Sequence, residues 1–61
     1  MMIIPNLTDQ IACVKREIAM REKVYPRWIE SRKMTQEKAD REIKTMKDVL
    51  ITLETLQQTN E

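Results

Sequence analysis

The stretch Val24-Tyr-Pro-Arg-Trp-Ile-Glu-Ser-Arg-Lys-Met-Thr35 lies between two helical patterns and decides how the chain folds back on itself. It contains both aromatic residues of the chain, Tyr25 and Trp28, and one of its two prolines. Inside a helix, Pro26 removes a backbone hydrogen bond and clashes one turn back, at a cost of about 3 kcal/mol, whereas a proline is well tolerated at the first helical position. The sequence therefore predicts a break or kink near Pro26.

Apolar residues from the start of the chain into this stretch recur at alternating steps of three and four, which places them on one face of a helix. The stripe consists of Ile4, Leu7, Ile11, Val14, Ile18, Tyr25 and Trp28. Arg21 is the one charged residue in this stripe. Because a buried charge is unstable without a partner, we expect Arg21 to reach water, a carboxylate or a ligand.

A second apolar stripe follows the bend on the same spacing rule. Its residues are Ala39, Ile43, Met46, Leu50 and Leu53. Val49 and Leu56 widen this apolar face beyond a narrow seam. A face of this width predicts more than one helical neighbour.

Capping residues mark the predicted starts of both helices: Asn6 or Thr8 for the first, and Thr35 for the second. The helix ends are marked less clearly, because the chain has no glycine for a left-handed stop. The predicted organisation is an N-terminal segment 1–7, a helix 8–25, a bend with a short helical turn 26–34, and a helix 35–58. One kinked helix from Thr8 to about Ser31 is the alternative. Both predict an all-α antiparallel helical hairpin.

The length of the chain limits how much core it can form alone. A domain of 61 residues buries only about 60% of its unfolded surface, and small domains add disulfides, a metal or further subunits. Cys13 is the only cysteine and histidine is absent, which excludes an internal disulfide and leaves out the usual zinc ligands. We therefore expect a homo-oligomeric helical bundle, most simply a dimer with four helices.

Composition also argues against several classes of function. Without histidine or glycine there is no ordinary general base near neutral pH and no phosphate-binding loop, so we expect neither an enzyme nor a cofactor. The net charge is +1 with interleaved signs, which gives no broad footprint for nucleic acid. The segment 1–4 is too short for a signal peptide or a membrane span, and a single cysteine suits a reducing cytoplasm.

One short segment resembles a DNA-binding element. Arg32-Lys-Met-Thr-Gln-Glu-Lys-Ala39 is similar to the opening of the second helix in phage-repressor helix-turn-helix domains. Such domains continue with a tight turn and a recognition helix, whereas Asp40 to Leu56 continues as one helical pattern. A DNA-associated phage regulator is therefore an alternative function, and duplex DNA is not the expected partner.

A longer resemblance covers residues 11–56. It is carried by Arg16-Glu-Ile-Ala-Met-Arg-Glu-Lys-Val-Tyr-Pro-Arg-Trp28, Lys33-Met-Thr35, Ala39-Asp-Arg-Glu-Ile43 and Val49 to Leu53. In these residues the chain resembles a group of small, mostly uncharacterised proteins of bacteriophages and prophages. That group commonly has a glycine before the Lys-Met-Thr, where this chain has Arg32, so a left-handed turn of the glycine type is not expected there.

The resemblance implies a helical hairpin of phage origin and supplies no activity. By analogy, very short phage proteins without catalytic groups act in the bacterial host cytoplasm by occupying a target stoichiometrically. The expected function is therefore inhibition of a host antiviral defence, either by covering a host protein or by sequestering a nucleotide signal. A structural or assembly hairpin of the phage particle is a further alternative.

The candidate partner site lies around the bend. It comprises Arg21, Tyr25, Arg27, Trp28, Arg32 and Lys33. The aromatic rings can stack on a ligand, and the basic groups can donate hydrogen bonds to phosphates or carboxylates. The competing interpretation is structural: the two rings close the end of the bundle against Ala39 and Ile43, and Arg21 pairs with Glu17.

Overall fold

The computed structural model describes residues 5–59, which form two α-helices joined by a short bend. Helix α1 spans Leu7–Glu30 and helix α2 spans Gln36–Thr59. Three side-chain contacts between the helices show their antiparallel register: Thr8 to Gln57 at 2.8 Å, Lys15 to Glu54 at 3.8 Å, and Glu22 to Lys47 at 3.5 Å. The predicted all-α helical hairpin is confirmed.

Helix α1 does not break at Pro26, which corrects the predicted helix 8–25 and bend 26–34. It continues to Glu30, close to the bounds of the single-helix alternative. Pro26 has no N–H to donate to the carbonyl of Glu22, but its ring is exposed, so water can reach that carbonyl. Continuing the helix also keeps Tyr25 on the stripe that faces α2, where it is buried.

Side-chain caps begin both helices. The Oδ1 of Asn6 accepts a hydrogen bond from the backbone N–H of Asp9 at 3.0 Å, and the Oγ1 of Thr35 accepts one from Lys38 at 3.1 Å. Each bond satisfies one of the free N–H groups at a helix start. Thr8, the other candidate cap, instead accepts a hydrogen bond from the side chain of Gln57.

The end of α1, which the sequence left vague, contains a left-handed stop although the chain has no glycine. Arg32 has a φ of 62°. The N–H of Arg32 donates to the carbonyl of Ile29 at 3.0 Å, and the N–H of Lys33 donates to the carbonyl of Trp28 at 2.8 Å. These two bonds form a Schellman motif, in which a left-handed residue lets the following N–H groups satisfy the last helical carbonyls. Arginine takes the place that glycine usually fills.

The core between the helices is a single thin layer. Ile11, Ile18 and Tyr25 are spaced by seven residues and are each 7% exposed, and Ala39 is 2% exposed. The rest of the second stripe is half-buried, namely Ile43, Met46, Leu50 and Leu53. Both predicted stripes therefore face each other, as expected from their spacing. Ile4 of the first stripe lies outside the described residues, as does most of the predicted segment 1–7.

Within residues 5–59, neither helix has the combination of length and apolar composition needed to cross a membrane.

Candidate functional site

The two aromatic residues at the tip differ in exposure. Their ring centroids lie 5.6 Å apart with the planes inclined at 34°. Tyr25 is 7% exposed and belongs to the core, whereas Trp28 is 43% exposed. Such tilted pairs are favourable because the positive edge of one ring approaches the negative face of the other. The buried ring of Tyr25 therefore packs against Trp28, and of the two rings only the indole is exposed enough to contact a partner.

Arg21 is engaged within its own helix. Its Nη1 donates to the Oε2 of Glu17 at 2.7 Å and to the backbone carbonyl of Glu17 at 3.2 Å. The hydrogen bond to Glu17 raises the pKa of Arg21 above its ordinary value, an effect that partial desolvation opposes. The side chain of Arg21 is half-buried. This geometry matches the structural interpretation, in which the pair with Glu17 satisfies the one charge on the apolar stripe.

The basic residues divide into two groups by their partners. Lys15, Arg21, Arg41, Lys44 and Lys47 each form an ion pair. In the described part of the chain, six other basic residues form none: Arg16, Lys23, Arg27, Arg32, Lys33 and Lys38. All six are exposed and lie between positions 16 and 38. Of the predicted site residues, Arg27, Arg32 and Lys33 are therefore the cations without an acidic partner.

The spacing of these cations produces a ridge on α1. Arg16, Lys23 and Arg27 are separated by seven and four residues, so they share one face of the helix. That face lies opposite Ile18 and Tyr25, and it therefore points away from α2. Sequence reasoning missed Arg16 and Lys23 because the interleaved acidic residues conceal the pattern. Their heptad spacing was the available signal, and the structure adds that the neighbouring carboxylate of Glu22 is paired with Lys47.

An open apolar groove runs beside this ridge. Met20, Arg21, Val24, Tyr25 and Trp28 line a space of about 250 Å³ on α1. Met20 and Trp28 are both about half exposed in it. A larger hollow of about 410 Å³ lies between the helices, and its lining is mostly charged: Glu22, Asp40, Ile43, Lys44, Lys47 and Asp48. The groove is thus the more apolar of the two spaces, and the unpaired cations of the tip lie near its end.

Comparisons with known proteins found no match for this chain. The chain matches no protein-family model, and no significant match was found among curated proteins or solved structures. Among residues 5–59, no three His, Cys, Asp or Glu side chains are grouped as metal ligands, and the thiol of Cys13 is exposed. The chemistry of the tip is therefore the basis for assigning a function.

Proposed function

We propose that this chain is a non-catalytic binding protein that acts by occupying an anionic target stoichiometrically through the tip of its hairpin. The observation that carries the proposal is the group of six exposed cations without ion-pair partners between positions 16 and 38. The other basic residues of the described chain are neutralised by nearby carboxylates. Glu30, Asp40 and Glu42 are the carboxylates of this region without an ion-pair partner, so the net charge of +1 conceals a local excess of unpaired cations.

Arg27, Arg32 and Lys33 are the centre of the proposed site. Arg27 lies in the last turn of α1, and Arg32 and Lys33 lie in the bend that follows. Guanidinium groups bind carboxylates and phosphates through two parallel hydrogen bonds, and a lysine adds a point charge. The backbone here is held by the Schellman bonds to Trp28 and Ile29, so the three side chains start from fixed positions. This arrangement suits an acidic protein surface or the phosphates of a nucleotide.

The biological setting in this proposal is inhibition of a host antiviral defence by a bacteriophage or prophage protein in the bacterial cytoplasm. Its support is the resemblance over residues 11–56 to small phage proteins. The target is then a host defence protein that the tip covers, or a nucleotide signal that it sequesters. The hairpin acts in this setting as a homo-oligomeric helical bundle, because its own core is one layer thick.

A plaque assay tests this function. The chain is expressed in bacterial strains that each carry one antiphage defence system, and the efficiency of plating of a sensitive phage is measured. The wild-type chain is expected to restore plating at least tenfold in one strain. The variant Arg27→Gln/Arg32→Gln/Lys33→Gln is expected to lose that effect, because it removes the unpaired cations of the tip and leaves the core intact.

The matched control is Arg41→Gln/Lys44→Gln/Lys47→Gln. It changes the net charge by the same amount, but each of its cations lies in an exposed ion pair of little energetic weight. If both variants lose the plating effect equally, or if the tip variant keeps full activity, the binding site does not lie at the tip. Binding of duplex DNA that weakens steeply with salt would assign the cations to a DNA-associated regulator instead.

A further inference from the structure

One hairpin leaves more surface in water than a compact protein of its mass. The chain exposes 5311 Å², whereas a compact monomer of 7.3 kDa exposes about 4,200 Å². Its radius of gyration is 14.5 Å, against about 10.5 Å for a compact chain of this length. The excess of about 1,100 Å² is similar to what each partner buries in a stable dimer, roughly 800 Å² or more.

The two flat faces of the hairpin differ in chemistry. On one face, the pairs Lys15–Glu54 and Glu22–Lys47 bridge the two helices. We call this the ion-paired face. On α1, helical periodicity places Glu17, Val24 and Trp28 on the other side of the core residues from Lys15 and Glu22. The same rule places Val49 and Leu56 of α2 on that side, opposite Lys47 and Glu54.

This second face, which we call the apolar face, contains most of the large exposed hydrophobic side chains of the hairpin. Trp28 is 43% exposed, Val49 41% and Leu56 48%. Val14 and Val24 beside them are half-buried. Two exposed threonines, Thr45 and Thr52, continue the stripe on α2 and carry no charge. The Glu17–Arg21 pair of α1 also lies on this side, as do Lys38 and Glu42 of α2. No ion pair between the helices covers the face in residues 5–59, so the apolar side chains between these charges remain open.

We infer that the apolar face binds a second copy of the chain, and that the two hairpins pack head to tail, with their tips at opposite ends of a four-helix bundle. The inference rests on the bundle in the proposed function and specifies its interface and orientation. A two-fold axis across the helices accounts for the orientation, because it brings the tip half of one copy over the open end of the other. This axis stacks like helices on each other, so Val24 packs against Val14 of the partner copy and Val49 against the partner's Val49. Trp28 then lies over the open end of the partner's α1, and Leu56 over the tip half of its α2.

Charge selects this orientation over packing with both tips at one end. Arg21 and Glu17 lie near the middle of α1, so a two-fold axis across the helices places Arg21 of each copy beside Glu17 of the other. With both tips at one end, Arg21 of one copy would face Arg21 of the other, and the two Glu42 side chains would also face each other. Like charges placed together at an interface are unfavourable, whereas the exchanged pairs are attractive. The basic ridge of Arg16, Lys23 and Arg27 lies on another side of α1 and stays exposed.

Pulsed electron–electron double resonance tests the orientation by measuring the distance between one spin label on each copy. The spin label is attached to Glu37→Cys in a Cys13→Ser background, because Glu37 is exposed at the tip end of α2. At a rise of 1.5 Å per residue, head-to-tail packing separates the two labels by about 35–45 Å. Packing with both tips at one end brings them within about 25 Å, since neighbouring helices lie 8–10 Å apart. The short distance, or no intermolecular distance at all, would overturn the inference.

A matched pair of substitutions tests which face is used. Leu56→Glu places a charge on the apolar face and is expected to weaken dimerisation at least a hundredfold in analytical ultracentrifugation. Ile51→Glu is the control, because Ile51 is more exposed, at 60%, and lies on the other side of α2. It is expected to leave the dimer intact. If Ile51→Glu dissociates the dimer and Leu56→Glu does not, the interface lies elsewhere.

The outcomes separate this inference from the proposed function. If the chain is a monomer that restores plating and the tip variant loses this effect, the dimer is rejected and the binding site is supported. If the chain is a head-to-tail dimer and the tip variant keeps full activity, the interface is supported and the binding site is rejected.

Discussion

At the scale of single residues, Arg32 is the position where local conformation and residue type conflict. Its φ of 62° is in the left-handed region, which costs about 1–2 kcal/mol for a residue with a Cβ. Glycine avoids this cost but loses about 0.5–1 kcal/mol of chain entropy on folding. We expect Arg32→Gly to raise the free energy of unfolding by about 1 kcal/mol, measured by urea titration with circular dichroism at fixed protein concentration.

Arg32→Ala is the control for this substitution, because it removes the charge but keeps the Cβ. It is expected to leave the stability unchanged or slightly lower. Arg32→Asn is expected to lie between the two, since asparagine tolerates the left-handed region. Equal stability of the glycine and alanine variants would show that the turn is not left-handed in solution.

At the scale of the element, Pro26 weakens α1 without ending it. The helix runs from Leu7 to Glu30 although Pro26 removes one hydrogen bond from its interior. The exposed ring of Pro26 makes no contribution to the core that alanine would lose. We expect Pro26→Ala to stabilise the protein by about 1–3 kcal/mol, measured by the same urea titration.

Lys23→Ala is the control in the same helix. Lysine and alanine are both good helix formers, and the side chain is exposed, so its effect is expected to stay within about 0.5 kcal/mol. If Pro26→Ala is no more stable than Lys23→Ala, the helix has already adapted to the proline and the lost hydrogen bond has no measurable cost.

At the scale of the whole molecule, stability should depend on concentration. Only Ile11, Ile18, Tyr25 and Ala39 are buried in the described hairpin, too few to supply the whole core. If a second copy completes it, folding and association are linked, and each tenfold dilution removes about 1.4 kcal/mol from the apparent stability. We expect the thermal midpoint to fall steadily from 100 μM to 1 μM chain. A midpoint that does not change over this range would identify a hairpin that folds alone.

Sequence patterns predicted the hairpin and several of its contacts. The two stripes face each other, Thr35 caps α2, and Glu17 pairs with Arg21, as their spacing indicated. Local rules were less informative at two places. They predicted a break or kink near Pro26, where α1 continues without a break, and they left the end of α1 at Arg32 vague, because each rule weighs one residue against its neighbours. In the folded chain, burial of Tyr25 and the hydrogen bonds to Trp28 and Ile29 offset those local costs.

The candidate site was predicted only in part for a similar reason. The sequence identifies which residues are basic, but it does not show which of them are neutralised. Arg21 was a candidate ligand residue and is engaged by Glu17, whereas Arg16 and Lys23 were not singled out and have no ion-pair partner in residues 5–59. Pairing across the hairpin, as between Glu22 and Lys47, depends on register, which is a tertiary property.

By itself, the sequence determined that this chain is helical and that it turns once, because periodicity and capping act within a few residues. Only the tertiary structure decided that α1 continues through Pro26 and that an arginine closes it. It also decided that ion pairs bridge the two helices on one flat face, while large apolar side chains stay exposed on the other. Those outcomes depend on which side chains meet across the two helices, and free energy gained there outweighs local preference.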